Sequence, residues 1–156
     1  MRRGSGVPAI VAGGAIAGAF DITYAIVFSG MRGVPAIRVL QSVSGGLLGA
    51  AAYGGGIGTA ALGLLLHFGI AFGWAAIFAA ASRWIPVLTE RPFAAGPLFG
   101  AAIYFAMYFA VIPLSRYPRK VTFTPGLVAI NLAVHMFLIG LPIALAAKVL
   151  RDAGRT

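Results

Sequence analysis

The chain has 156 residues, of which 60% are hydrophobic and only 10% are charged, and it carries a formal net charge of +9. Soluble domains are roughly 45–50% apolar and about 25% charged, so this composition excludes an ordinary water-soluble protein. The absence of cysteine excludes disulfides, thiolate metal sites and cysteine nucleophiles. Because the basic residues lie between apolar runs and form no single stripe, we expect lipid headgroups, and not nucleic acid, as their partners.

Four apolar runs are long enough to cross a bilayer. A helix rises about 1.5 Å per residue and the hydrocarbon core is about 30 Å thick, so a span needs about 20 apolar residues. The sequence therefore predicts an all-α, four-span membrane protein that forms a single integral-membrane domain. The predicted spans run from Val7 to Ser29, from Thr59 to Ser82, from Phe93 to Pro113 and from Gly126 to Ala147.

The N-terminal segment has a second interpretation. Arg2 and Arg3, followed by a short apolar run and by Ala17-Gly18-Ala19, have the pattern of a signal peptide with its cleavage site. The apolar run continues beyond that point as far as Phe28. We therefore expect an uncleaved first span.

The connection between the first two predicted spans is amphipathic. Apolar and polar residues fall on opposite sides of a helix there: Ile37, Leu40, Val43 and Leu47 on one, Arg38, Gln41 and Ser42 on the other. This pattern predicts a short helix lying in the headgroup plane. A shallow re-entrant hairpin is the alternative.

The distribution of basic residues indicates an orientation. On the side of the N-terminus the loops and ends carry seven: Arg2, Arg3, Arg83, Arg91, Lys148, Arg151 and Arg155. The other side carries five: Arg32, Arg38, Arg116, Arg119 and Lys120. Since basic residues concentrate on the cytoplasmic side, the count favours both termini in the cytoplasm.

Pairs of glycines four residues apart occur in three of the predicted spans. Membrane helices associate through close contact of small residues, because lipid tails are as apolar as leucine. The pairs are Gly14 and Gly18, Gly69 and Gly73, and Gly96 and Gly100. We expect them to line the packing faces of a compact bundle, and one face to serve for self-association or for contact within a larger complex.

Polar residues inside the spans are few and share one depth. Asp21 lies about eight residues before the end of the first span, while His67 and His135 lie about eight and nine residues into the second and fourth. In an up-and-down bundle these positions are about 12–14 Å from the same membrane surface. With Asn131 one turn before His135 and two tyrosines in the third span, they form a predicted polar cluster of Asp21, His67, Tyr104, Tyr108, Asn131 and His135.

The polar cluster has four interpretations. Buried polar groups that satisfy one another can simply hold the helices in register. An aspartate and a histidine can also form a proton or ion pathway. His67 and His135 on different helices could be the axial ligands of haem b, and together with Asp21 they could hold zinc or non-haem iron.

A basic and aromatic segment follows the third span. It contains Arg116, Tyr117, Arg119 and Lys120. Such residues anchor a protein at the membrane interface, and a lipid-headgroup site is the more specific alternative.

Four stretches of the chain, AGAFDITYA, LQSVSGGLLG, LGLLLHF and VIPLSRYP, carry a resemblance to a known family. The chain resembles small bacterial inner-membrane proteins similar to the YagU-like family. That resemblance implies a four-helix protein of the bacterial inner membrane and places Asp21 and His67 at family-like positions. We expect a non-enzymatic accessory or stress-related membrane component, with a haem-binding or proton-handling protein as the alternative.

Overall fold

A computed structural model describes residues 6–118 and 122–153, and within them it contains helices and no strands. Four of the described helices are long and apolar enough to cross a membrane, which confirms the predicted all-α, four-span architecture. They are α1 (Gly6–Gly30), α3 (Gly56–Trp84), α5 (Pro92–Leu114) and α6 (Pro125–Ala153). Shorter elements connect them: α2 (Ala36–Leu48), a 3-10 helix (Gly49–Gly54) and α4 (Val87–Glu90).

Proline and glycine mark where the helices begin and turn. Pro92 and Pro125 are the first residues of α5 and α6, where a missing backbone N–H costs no hydrogen bond. Between α1 and α2 the chain reverses at Gly33, whose φ of 78° lies in the left-handed region that glycine adopts readily. The chain therefore passes up and down through four spans. We call the end of the bundle at which α1 and α5 finish and α3 and α6 begin the α2 end.

The four spans pack side by side in the order α3, α1, α6, α5. The backbone of α1 packs against α3 on one side and against α6 on the other, and α6 packs against α5. The two outermost spans, α3 and α5, meet through aromatic rings instead: Trp74 and Phe78 contact Phe99 with ring centroids 6.2 and 5.0 Å apart. These rings lie in the half of the bundle away from the α2 end, so α3 and α5 diverge towards the α2 end.

Glycines bring two pairs of spans into close contact. A Cβ on Gly100 would overlap the carbonyl oxygen of His135, and one on Gly140 would overlap the carbonyl of Gly96, so α5 and α6 touch backbone to backbone. On the other side of the bundle, Gly14 and Gly18 of α1 face phenylalanine rings of α3. The prediction that glycine pairs line the packing faces is confirmed for α1 and α5.

The same prediction is wrong for α3. Nothing lies within 4 Å of a Cβ built on Gly69 or Gly73, and both residues are exposed on the outer face of the bundle. The glycine of α3 that does permit a close approach is Gly63, which meets the carbonyl of Leu40. Helical spacing identified a face of small residues but could not say whether a neighbouring helix covers it, and self-association through it stays a prediction.

The predicted amphipathic helix exists as α2, but its faces are used differently from the expectation. It packs against α3, and the predicted water-facing residue Gln41 is only 3% exposed because its Nε2 donates to the carbonyl of Gly56 at 3.0 Å. The apolar residues Ile37 and Leu47 are exposed instead. The hydrogen bond to the start of α3 therefore keeps Gln41 buried, although the polarity pattern of α2 predicts that this residue faces water.

Candidate functional site

A cavity of about 330 Å³ lies between the spans in the half of the bundle near the α2 end. Residues of α1, α3, α5 and α6 form its walls, and Ser42, Val43 and Gly46 of α2 cover it at the α2 end. Most of the wall is apolar. The polar side chains in it are those of Asp21, Tyr24, Ser42, His67, Tyr108, Ser115, Tyr117, Asn131 and His135.

Asp21 and His67 face each other across the α1–α3 contact. The Oδ2 atom of Asp21 is 4.0 Å from Nδ1 of His67, and the two side chains are 30% and 12% exposed. The other ring nitrogen, Nε2, lies 2.9 Å from the carbonyl oxygen of Gly18. A carbonyl can only accept, so Nε2 carries a hydrogen and donates it. The nitrogen free to gain or lose a proton is thus the one that faces Asp21.

His135 is held in a similar way on α6. Its Nδ1 atom lies 2.8 Å from the carbonyl oxygen of Asn131, one turn earlier, and must donate to it. The Asn131 side chain accepts a hydrogen bond of 3.3 Å from the hydroxyl of Tyr24, which links α6 to α1. Nε2 of His135 is therefore the nitrogen that can exchange a proton.

Two tyrosines of α5 pack against the ring of His135. Tyr104 meets it edge to face with centroids 5.3 Å apart, and Tyr108 lies at 6.3 Å. The two tyrosine rings are themselves 4.6 Å apart. Tyr104 is only 2% exposed and stands behind His135, whereas Tyr108 lines the cavity. The edge-to-face contact holds the imidazole in one orientation.

Both helices that meet at His135 widen locally into π-helix. The π segments are Met107–Val111 in α5 and His135–Gly140 in α6. Each ends two residues before a proline, Pro113 or Pro142, which cannot donate its backbone hydrogen bond and displaces the carbonyl four residues earlier. Single π turns inside α-helices occur frequently at functional sites. Here they carry Tyr108 and His135 into the cavity wall.

The structure brings the six predicted cluster residues together around one site. Asp21, His67, Tyr108, Asn131 and His135 line the cavity, and Tyr104 lies behind His135. The sequence reasoning missed other lining residues, among them Tyr24, Trp74 and Ser42. Tyr24 had a signal, since it follows Asp21 by three residues and so shares its helix face.

The predicted interfacial segment contributes to the site in part. Tyr117 lines the cavity, while the exposed Arg116 donates its backbone N–H to the carbonyl of Gly46 at 2.8 Å and so ties the end of α5 to α2. Arg119 and Lys120 lie outside the described residues. A headgroup role for this segment remains a prediction.

The geometry bears on the metal and haem interpretations. Among the residues that the structure describes, no three His, Asp or Glu side chains converge as a metal site would require. An iron atom bound through Nδ1 of His67 would lie against the Asp21 carboxylate, because that nitrogen is the one facing it. The arrangement therefore favours proton binding by these two side chains over an axial ligand pair.

Among the described residues, Asp21 is the only Asp, Glu, Lys or Arg in the cavity wall, so this part of the site carries one potential negative charge at the depth of the spans. The four hydrophobic helices identify the chain as a multi-pass membrane protein. Comparison with models of known protein families finds no match, and neither curated proteins nor solved structures yield one.

Proposed function

We propose that the chain is a non-enzymatic accessory membrane protein that binds and releases one proton at the Asp21–His67 pair. The observation that carries the proposal is the pairing itself. Oδ2 of Asp21 lies 4.0 Å from Nδ1 of His67, and the ring cannot turn without losing its hydrogen bond to Gly18. Intramembrane carboxylates and histidines placed together are typical of proton-handling sites.

The chemistry of the pair suits one exchangeable proton. With the proton on either side chain, the pair is neutral as a whole, either as carboxylic acid with imidazole or as carboxylate with imidazolium. Removal of that proton leaves an uncompensated carboxylate in an environment that disfavours isolated charge. The neighbouring cavity, with its tyrosine, serine and asparagine side chains, provides polar groups along which a proton can reach the pair.

The proposal is for a binding site whose polar wall continues to the α2 end, beneath α2, and not for a passive channel. On the side away from that end, the lining residues Ala17, Ile103 and Ile139 continue into a core of small and apolar side chains, Ala75, Phe78, Ile143, Ala144 and Ala147. This core offers no donor or acceptor side chain to a proton. We expect liposomes that contain the protein to show no passive proton conductance, and a conductance abolished by Asp21→Asn would contradict this part of the proposal.

Infrared difference spectroscopy tests proton binding directly. The protein in lipid nanodiscs is titrated with pH while the carboxylic-acid C=O stretch is followed. We expect a band that grows as the pH falls and that is absent from Asp21→Asn. Asp152→Asn is the matched control, because Asp152 is exposed and paired with Lys148 at 3.0 Å near the end of α6. This variant should keep the band.

A second variant separates proton sharing from a structural role of His67. His67→Gln retains an N–H that can donate to Gly18, but it cannot take up a proton. We expect the variant to fold and to shift the midpoint of the Asp21 titration, because the carboxyl loses its proton-binding neighbour. A band that is unchanged in midpoint, or a carboxyl that never titrates while the protein stays folded, overturns the proposal.

We further propose that the protein resides in the bacterial inner membrane with both termini in the cytoplasm. The proposal rests on the seven-to-five distribution of basic residues and on the YagU-like resemblance. Because the chain has no cysteine, single cysteines can report sidedness. In intact cells an impermeant maleimide should label Arg116→Cys and should label Ala153→Cys only after permeabilisation. The reverse pattern refutes the orientation.

A further inference from the structure

The cavity has an open side between α3 and α5. These two spans line it without packing their backbones together near the α2 end. Ile70 of α3 and Val111 of α5 belong to its wall and yet are 38% and 39% exposed. Residues that face a cavity and the outside at once mark its mouth. At the depth of the spans the outside is lipid, so the mouth faces the bilayer.

The wall of the cavity combines an apolar surface with one acidic side chain. Apolar area comes from Ile70, Trp74, Ile103 and Ile139, and Asp21 provides the only formal charge among the wall residues that the structure describes. Tyr24, Trp74 and Tyr108 add aromatic faces, which attract cations through their quadrupoles. Ligand pockets typically occupy about 300–1,000 Å³ and are apolar with a few placed polar groups. This cavity has that size and that composition.

We propose that the cavity binds a lipophilic organic cation from the bilayer, with its positive group at Asp21, in exchange for the proton on the Asp21–His67 pair. The inference rests on the proposed function, because the exchanged proton is the one held there. A cation is favoured over a neutral or anionic ligand because, among the described residues of the wall, the only formal charge is negative and none is Lys or Arg.

The exchange balances in charge. Before binding, the pair and its one proton are neutral together. The ligand brings one positive charge, the proton leaves towards the α2 end, and the carboxylate of Asp21 then neutralises the ligand while His67 becomes a neutral imidazole. No bond other than that to the proton is broken. Binding of one monocation therefore releases one proton, and a lower pH competes with the ligand.

The groups that face Asp21 are consistent with this stoichiometry. Titratable residues reach the cavity from every span packed around it: Tyr24 on α1, His67 on α3, Tyr108 on α5, Tyr117 after α5 and His135 on α6. The helix α2 contributes Ser42, and its Arg38 is held away by a hydrogen bond of 2.9 Å to the carbonyl of Tyr53. No fixed positive charge of the described chain therefore competes with the ligand in the wall.

Calorimetry with a matched pair of probes tests the proposal. Phenyltrimethylammonium is a permanent cation, and tert-butylbenzene is its neutral isostere. The difference between their affinities therefore gives the contribution of the positive charge to binding. Titrations of the protein in nanodiscs, in two buffers of different ionisation enthalpy, give the number of protons released. We expect saturable binding of the cation only, release of about one proton, and affinity that falls about tenfold per pH unit once the pair is protonated.

Two variants complete the calorimetric test. Asp21→Asn should weaken cation binding at least about 30-fold and abolish proton release, because it removes one partner of a buried charge pair. Asp152→Asn should match the wild type. Equal binding of the neutral isostere, or cation binding without proton release, overturns the inference. If the infrared band of Asp21 titrates normally while no cation binds, the proton site stands and the cation inference fails.

The open mouth is tested by ligand length. Dodecyltrimethylammonium has the same headgroup but a tail too long to be enclosed. A mouth that faces lipid lets the tail extend into the bilayer, so this ligand should bind in nanodiscs no more weakly than phenyltrimethylammonium. A closed cavity would reject it. Loss of binding with increasing tail length therefore contradicts the entry route from the bilayer.

Discussion

Helix α5 makes two contacts of opposite character, a tight one with α6 and an open one with α3. Against α6 it presents Gly96 and Gly100, and the backbones touch. Towards α3 it presents Phe99, whose ring meets Trp74 and Phe78 and keeps the backbones apart. All these residues are compatible with a lipid environment, so their polarity does not distinguish the two contacts. The size of the side chains therefore decides how closely α5 approaches each neighbour.

The largest expected effect comes from removing an aromatic ring through which α3 and α5 meet. Phe78 is fully buried, and its ring lies 5.0 Å from that of Phe99. Phe78→Ala should lower the free energy of unfolding by about 3 kcal/mol, since truncation of a buried Phe leaves a void. Phe93→Ala is the control, because Phe93 is 73% exposed. Denaturation in mixed micelles measures both, and equal losses would mean that the ring contact between α3 and α5 does not stabilise the bundle.

A methyl group at the tight contact should have the next largest effect. In Gly100→Ala the new Cβ meets the carbonyl of His135, so α5 and α6 must separate, at a cost of about 2 kcal/mol. In Gly69→Ala the Cβ meets nothing within 4 Å, and the helix gains slightly from the loss of glycine. Thermal unfolding of both variants measures the difference. A Gly100→Ala protein as stable as Gly69→Ala would contradict the tight contact.

The cover of the cavity can be loosened separately. Gly63→Ala places a Cβ against the carbonyl of Leu40, so α2 should be pushed away from α3. We expect a loss of about 1 kcal/mol, at the lower end for overpacking, because α2 lies at the end of the bundle and can shift. Amide hydrogen exchange across Ala36–Leu48 should become faster. Gly58→Ala, with nothing within 4 Å of its Cβ, should leave that exchange unchanged.

The smallest effect concerns the hydrogen bond that joins two cavity walls. Tyr24→Phe removes the 3.3 Å bond to the Asn131 side chain. Interhelical hydrogen bonds in membranes average about 0.6 kcal/mol, so we expect a loss of that size. A double-mutant cycle with Asn131→Leu isolates the pair. A coupling energy of zero would show that α1 and α6 are held by packing alone.

Hydropathy was sufficient to predict the four spans, because the bilayer demands a length and an apolar composition that can be counted. The depth of the polar residues within their spans could also be predicted. Asp21, His67 and His135 lie at similar distances from the ends of their spans, and the structure places all three in one cavity. The periodicity of a helix shows which residues share a face, but it does not show which neighbouring helix, if any, packs against that face. For that reason Gly69 and Gly73 were assigned to a packing face that they do not occupy.

The features that the sequence did not predict depend mostly on contacts between elements far apart in the chain. The burial of Gln41 depends on the carbonyl of Gly56, which is available only once α2 folds back on α3. The cavity cover and the Arg116–Gly46 link likewise require tertiary placement. The π segments have a local signal in Pro113 and Pro142, because proline displaces a carbonyl that a wider turn can accommodate.

The π segments also have a consequence for how the chain tolerates changes in length. A π turn contains one residue more than the α turn it replaces, so deletion of a single residue within Met107–Val111 or His135–Gly140 would restore α-helix. Because the wider turn absorbs the extra residue, the two halves of the span would keep nearly the same orientation. Such a deletion would remove the local widening that carries Tyr108 or His135 into the cavity wall. Variants one residue shorter there should keep four spans and lose the site.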